Sequence, residues 1–97
     1  MILILYRFNN YQLRCYAKTA ESNQEHILTC AENEVCQVEV NVNDASNVRQ
    51  AYTKGCERKS TAIMNFNKNE QQCRPGQPNA KCYFYCESNN CNNQLLK

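Results

Sequence analysis

Apolar and polar residues alternate strictly through Gln37-Val38-Glu39-Val40-Asn41-Val42-Asn43. A period of two puts Val38, Val40 and Val42 on one face and Gln37, Glu39 and Asn41 on the other, the signature of a half-buried strand. The turn formers Asn43-Asp44-Ala45-Ser46-Asn47 follow, and Val48 to Thr53 return toward Gly55-Cys56. The pattern predicts a long hairpin over 37–55. Tyr11 to Tyr16 alternates as a second strand, with Ile27 to Cys30 as its partner. Between them lies the polar run from Lys18 to His26, where Ser22-Asn23-Gln24-Glu25 matches a capping box and permits a helical turn. Lys81-Cys82-Tyr83-Phe84-Tyr85-Cys86 predicts a third, aromatic strand, expected at the centre of its sheet. Arg74-Pro75-Gly76-Gln77-Pro78-Asn79 before it reads as a turn or loop. Segment 57–72 is ambiguous, because Thr61-Ala62-Ile63-Met64-Asn65-Phe66 fits a strand or a short helix. No repeat, linker or low-complexity run divides the chain, so one domain is expected.

Composition adds a reason to expect covalent support. The chain has 97 residues, no Trp, and only Phe8, Phe66 and Phe84 as phenylalanines. A core that thin needs staples. Eight cysteines supply them, at positions 15, 30, 36, 56, 73, 82, 86 and 91. An even count in a short chain points to full pairing and to an oxidising, extracellular compartment. Each bridge contributes roughly 2–4 kcal/mol, mainly by restricting the unfolded chain. Only two glycines occur against fifteen asparagines, so asparagine is expected to serve many of the turns.

Net charge is +2, but it is unevenly distributed. From Glu21 to Asp44 there are six acids and no Lys or Arg; from Arg49 to Lys81 there are seven bases against Glu57 and Glu70. Solvated strand faces account for such a pattern, and so does a dipolar surface that steers a charged protein or glycan. Nothing in it points to nucleic acid. No segment is long enough to cross a bilayer. Residues 1–12 are expected to be an N-terminal extension, either a signal or tag remnant or a genuine first strand at Met1-Ile2-Leu3-Ile4-Leu5-Tyr6. Residues 93–97 read as a short tail.

The order of elements resembles a family. Leu13-Arg14-Cys15-Tyr16 opens a strand, Cys30 and Cys36 precede the long hairpin, Gly55-Cys56 closes it, and Cys86-Glu87-Ser88-Asn89-Asn90-Cys91-Asn92 ends the domain. This is similar to the three-finger fold of the lymphocyte-antigen and urokinase-receptor family, shared with snake three-finger toxins and the ectodomains of TGF-β-superfamily receptors. The resemblance covers residues 13–92. It implies an all-β, small, disulfide-rich domain with the pairs Cys15–Cys36, Cys30–Cys56, Cys73–Cys82 and Cys86–Cys91; spacing alone leaves 105 connectivities open. It also implies that Asn92 hydrogen-bonds backbone in the hub. Two features depart from the family. The additional bridge found inside finger I of many members is missing, and the sixteen residues between Cys56 and Cys73 are long. Much of finger III therefore falls in 57–72, or that segment is an added element.

Catalytic and metal chemistry find little purchase. Cys82-x3-Cys86-x4-Cys91 superficially resembles zinc spacing, but no Cys-x2-Cys knuckle is present. His26 is the only histidine and has no accompanying nucleophile signature. Glu32 and Glu34 lie in a five-residue loop where solvated charge is the default. No enzyme activity, metal or cofactor is expected. The resemblance implies recognition instead, by loops that a stapled hub preorganises. Finger II offers Asn43, Asp44, Ser46, Asn47, Val48 and Arg49 at its tip. Ile63, Met64 and Phe66 form a second candidate surface, and Tyr52 and Tyr83 are candidate interface aromatics. The expected partner is an extracellular protein: a receptor, a channel or a growth-factor-like ligand. The alternatives are a TGF-β-type receptor ectodomain, a toxin-like receptor blocker, or a weak binder of polyanionic glycan through Arg49 to Lys59. The expected place is secreted or on the outer face of the plasma membrane, held there, if at all, by a lipid anchor.

Overall fold

The computed structural model describes residues 12–19, 21–22, 24–44 and 51–93. Among the described residues there are five strands: β1 (Arg14–Ala17), β2 (His26–Thr29), β3 (Glu34–Asp44), β4 (Ala51–Arg58) and β5 (Pro78–Cys86). Two short helices, α1 (Lys59–Asn67) and α2 (Asn69–Gln72), sit between β4 and β5, and a 3-10 turn covers Cys91–Asn93. The result is a small, mainly-β domain with four disulfides and a helical insert. The proposed N-terminal strand, the tip residues 45–50 and the tail from 94 lie outside the described residues.

β1 and β2 form an antiparallel pair, and β4-β3-β5 form an antiparallel three-stranded sheet in that order. The alternating valines explain why β3 is the middle strand. Val38 and Val40 are buried, whereas Gln37 and Glu39 are only half-buried. Across from Val40 lie Tyr52 on β4 and Cys82 on β5. The strand at Lys81 to Cys86 is therefore at the edge of its sheet, contrary to the central place its aromatics suggest. Those aromatics are only half-buried, and the helices rather than another strand pack on them. The outer side of β5 is satisfied by a side chain: Tyr83 N–H donates to Asn69 Oδ1 at 3.0 Å, and Asn69 Nδ2 donates to Tyr83 O at 2.7 Å.

Among the described residues, one backbone bridge joins the two sheets. Lys18 N–H donates to Lys54 O at 3.1 Å and Lys54 N–H donates to Lys18 O at 3.0 Å. It runs β1 alongside the free edge of β4. The strands then follow one another across the molecule as β2, β1, β4, β3, β5.

Beyond the end of β4 at Arg58, the segment leading to Cys73 is helical. Its apolar residues do not alternate, so they cannot line one face of a strand. At 100° per residue, Ala62 and Asn65 fall on one side of α1, and Ser60, Ile63 and Met64 on the other. Ala62 is buried, and Asn65 Nδ2 donates to Gln37 Oε1 at 3.2 Å, which seats the helix on the Gln37 face of β3. The first helical N–H, from Lys59, donates to Asn33 O at 2.7 Å.

The turns follow from residue chemistry. Gln77 N–H donates to Arg74 O at 3.0 Å, with Gly76 at φ 82, the left-handed position of a Pro-Gly turn. Among the described residues, the three positive-φ residues other than glycine are asparagines, namely Asn33, Asn79 and Asn90. The Ser22–Glu25 capping box starts no helix among its described residues. Ser22 Oγ instead accepts the Gln24 N–H at 3.0 Å, the local alternative that a serine offers.

The interior has two parts. Val38, Val40, Ala80 and Cys82 form one, with Tyr52, Cys73 and Phe84 against it. Leu13, Cys15, Cys30 and Cys36 form the other, with Cys56, Cys86 and Cys91 packed around them. The second core is mostly sulfur. The structure bonds Cys15 to Cys36, Cys30 to Cys56, Cys73 to Cys82 and Cys86 to Cys91, leaving no free cysteine.

Candidate interaction site

The hub fixes everything that projects from it. Cys36, Cys56 and Cys86 lie in register across β3, β4 and β5, so all three strands meet at one level. Bridges from Cys36 and Cys56 reach Cys15 and Cys30 and bring in the β1–β2 hairpin. The sulfurs of Cys15 and Cys30 lie 3.2 Å apart, so these two bridges touch. Asn92, buried beside them, binds three backbone groups. It accepts from Tyr16 N–H at 2.9 Å and donates to Tyr16 O at 3.0 Å and Gln37 O at 3.3 Å. Asn89 Oδ1 accepts from Arg14 N–H at 2.9 Å, and Asn90 N–H donates to Arg14 O at 2.7 Å. The C-terminal turn thereby substitutes for a strand along β1.

Two sulfur groups, Cys15/Cys30/Cys56 and Cys36/Cys86/Cys91, each gather within 4.8 Å. Every one of those sulfurs is spent in a disulfide, and it is the thiolate that ligates metal. The groups form the hub rather than a metal centre. His26 is exposed on β2, and no catalytic partner is bonded to it among the described residues. No helix among the described residues is long and apolar enough to cross a membrane.

A buried polar pocket that sequence reasoning missed lies where the sheets join. Lys18 and Lys54 are each only 5 % exposed. Lys54 Nζ donates to Glu25 Oε2 at 2.8 Å and to Asn93 O at 3.4 Å, and lies 5.8 Å from the Tyr16 ring centroid and 5.5 Å from that of Tyr52. Lys18 Nζ donates to Thr19 O at 2.6 Å and Tyr52 O at 3.0 Å, 4.1 Å from the Tyr52 ring centroid. The signal was the repeated Tyr-x-Lys at Tyr16–Lys18 and Tyr52–Lys54, which places ring and amine on one strand face. The pocket closes the seam between the sheets, its lysines buried and Glu25 at its solvent side.

Tyr52 is half-buried against the cluster of Val38, Val40, Ala80 and Cys82. Asn43 and Asp44 end β3 and are described by backbone alone; Asp44 pairs with Pro78. Ser46, Asn47, Val48 and Arg49 lie outside the described residues. Tyr83 lies on the other face of β5, opposite Glu39, with Lys81 reaching Glu39 at 3.6 Å. Partial burial pushes the Tyr83 phenol above its ordinary range. The Glu39 carboxylate adds to that shift and the Lys81 ammonium opposes it.

The remaining candidates come together. Ile63 is half-buried, and Met64 and Phe66 are 58 % and 44 % exposed. Phe66 stacks edge-on against Phe84 at 6.4 Å and Tyr85 at 5.8 Å between centroids. Ile63 lines a depression of about 430 Å³ with Asn33, Arg58, Lys59 and Ser60. Ile63 and Met64 face away from the Ala62 side of α1, with Arg58 and Lys59 beside Ile63, whereas Phe66, one turn from Ala62, covers the β5 aromatics at the edge of the helix. Ile27 and Leu28 on β2 are exposed as well, one on each face of the strand, which alternation alone does not reveal. Comparison of the chain with protein-family models, with curated proteins and with solved structures finds no match.

Proposed function

We propose that this protein is a non-catalytic extracellular binding module of the three-finger type, and that the exposed side of α1, from Met64 past Ile63 to Phe66 at its edge with β5, is a surface on which it takes another protein. The exposure of Met64 and Phe66 carries this reading. These two apolar side chains remain exposed on either side of half-buried Ile63, which has Arg58 and Lys59 beside it. Clustered exposed apolar side chains mark contact surfaces. The helix beneath is tied at both ends, by Lys59 to Asn33 and by the Cys73–Cys82 bridge just beyond α2, so little order remains to be imposed on binding.

Three features support the three-finger reading: two hairpins and a fifth strand leaving one disulfide hub, the side-by-side bridges at Cys15 and Cys30, and the buried Asn92 amide. The helical insert takes the place that a third β-hairpin would hold. Four disulfides support a compartment outside the cytosol.

The oxidised domain, immobilised and exposed to extracellular extracts, tests this. The wild-type chain should retain a specific protein, and Phe66→Glu and Met64→Glu should each weaken retention about tenfold or more, as expected of residues at the centre of a contact. Equal retention by those variants, or by the reduced and alkylated chain, would overturn the proposal.

A further inference from the structure

We infer that the sulfur hub is a thiol–disulfide relay. An external dithiol that attacks the Cys86–Cys91 bridge makes the two bridges behind it exchange, and the β1–β2 hairpin loses both of its disulfides to the three-stranded sheet. The α1 surface plays no part.

Three observations carry it. The first is contact between bridges. Cys15 Sγ lies 3.2 Å from Cys30 Sγ, although each is bonded elsewhere. The sulfurs of Cys36, Cys86 and Cys91 lie within 4.8 Å of one another. Cys86–Cys91, Cys15–Cys36 and Cys30–Cys56 thus form one row, each bridge within reach of the next. The second is access. Cys15, Cys36 and Cys30 are buried, whereas Cys86 and Cys91 are both half-buried beside exposed Glu87, Ser88 and Asn89. Of the three bridges in the row, Cys86–Cys91 is the one with neither sulfur buried. The third is register. Cys36 on β3 stands directly opposite Cys86 on β5. Residues opposed in this way have Cα atoms about 4.5–5.5 Å apart, within the span of a disulfide. The remaining bridge, Cys73–Cys82, belongs to the other core.

Exchange proceeds by attack of a thiolate on a disulfide sulfur. One thiolate of the dithiol attacks Cys91 and forms a mixed disulfide there, and Cys86 leaves as a thiolate. Cys86 attacks Cys36, and as that bond forms the Cys15–Cys36 bond breaks. Cys15, now the thiolate, attacks Cys30 and displaces Cys56, which takes up a proton. The second thiol of the reagent attacks the reagent sulfur held on Cys91, closes the reagent as its own disulfide and releases Cys91 as a thiol. One dithiol is oxidised, and Cys56 and Cys91 are reduced. The native pairs cross the seam, joining β1 to β3 and the residue after β2 to β4. The new pairs, Cys15–Cys30 and Cys36–Cys86, lie within the hairpin and within the sheet. The exchange therefore uncouples two units that the native bridges hold together.

Mass mapping after limited reduction tests this. The oxidised chain receives about one equivalent of dithiothreitol at about pH 8, close to the ordinary thiol pKa, and is then quenched in acid and labelled with a maleimide. Peptides linking Cys15 to Cys30 and Cys36 to Cys86 should appear, with the label on Cys56 and Cys91. In that species the amides of β1 and β2 should exchange hydrogen at least about tenfold faster, while those of β3 and β5 stay protected. Cys91→Ser asks the same question without reductant. Its thiol at Cys86 should pass along the row, so that part of the label falls on Cys56. Cys82→Ala is the control, and its label should stay on Cys73. Should Cys91→Ser fail to fold, the wild-type map decides alone. Wild-type label confined to Cys86 and Cys91, or to Cys73 and Cys82, would overturn the inference, as would folded Cys91→Ser labelled at Cys86 alone. Label spread over many cysteines in Cys82→Ala would mean general scrambling and would overturn it too.

Discussion

Asn92 and Asn69 each set a side-chain amide against the N–H and C=O of a single residue, Tyr16 in the hub and Tyr83 at the edge of β5. An amide used this way copies one step of a strand ladder without adding a strand. Asn92→Ala strands buried backbone groups, each costing about 1–3 kcal/mol. Urea unfolding of the oxidised variant should therefore show a loss of about 2–4 kcal/mol, and a loss below about 1 kcal/mol would contradict the hub role. Tyr83 gives a second check. Its raised phenol pKa comes from partial burial and from Glu39. The unfolded chain then releases that proton first, so stability is full below the ordinary tyrosine range and falls as pH rises through it. Phenolate absorbance should show one tyrosine titrating late, and Glu39→Gln should move it earlier. The Asn92 contact was implied by family resemblance. The Asn69 contact was not legible, because its partner lies fourteen positions away and nothing local separates Asn69 from the other asparagines.

At the scale of elements, burial decides which ion pairs count. Lys54 is buried when it meets Glu25, whereas Lys59 and Glu87 are about half exposed. Glu25→Gln leaves a buried ammonium short of its carboxylate. It should cost about 1–3 kcal/mol, less than a fully enclosed pair because Glu25 still touches water. Glu87→Gln should cost at most about 0.5 kcal/mol. Equal costs in paired denaturant titrations would contradict the account of the seam pocket. β3 was legible because its valines alternate over a whole strand. Segment 57–72 was not, since Ala62-Ile63-Met64 is a continuous apolar run that neither period claims. The place of β5 was misjudged for a related reason: aromatic content signals packing but not whether strand or helix supplies it. At the candidate site, Ile63, Met64 and Phe66 were legible as apolar residues in an odd place, and the helix that unites them was not.

As a whole the molecule is thin, 18 Å across its shortest axis. Little interior exists in such a shape, and four of the eleven buried hydrophobic residues among those described are cysteines. Oxidation state should therefore act as a master variable. A reducing thiol should collapse the fold and with it any binding through α1, while a metal chelator should leave both intact, as followed by circular dichroism. The compartment, the preorganised helix face and the projecting hairpins all rest on one covalent arrangement, so proteolysis of the folded chain followed by mass mapping tests it most directly. The account predicts four linked peptide pairs, joining Cys15 to Cys36, Cys30 to Cys56, Cys73 to Cys82 and Cys86 to Cys91. Free thiols, or the same cysteines joined in another order, would contradict it.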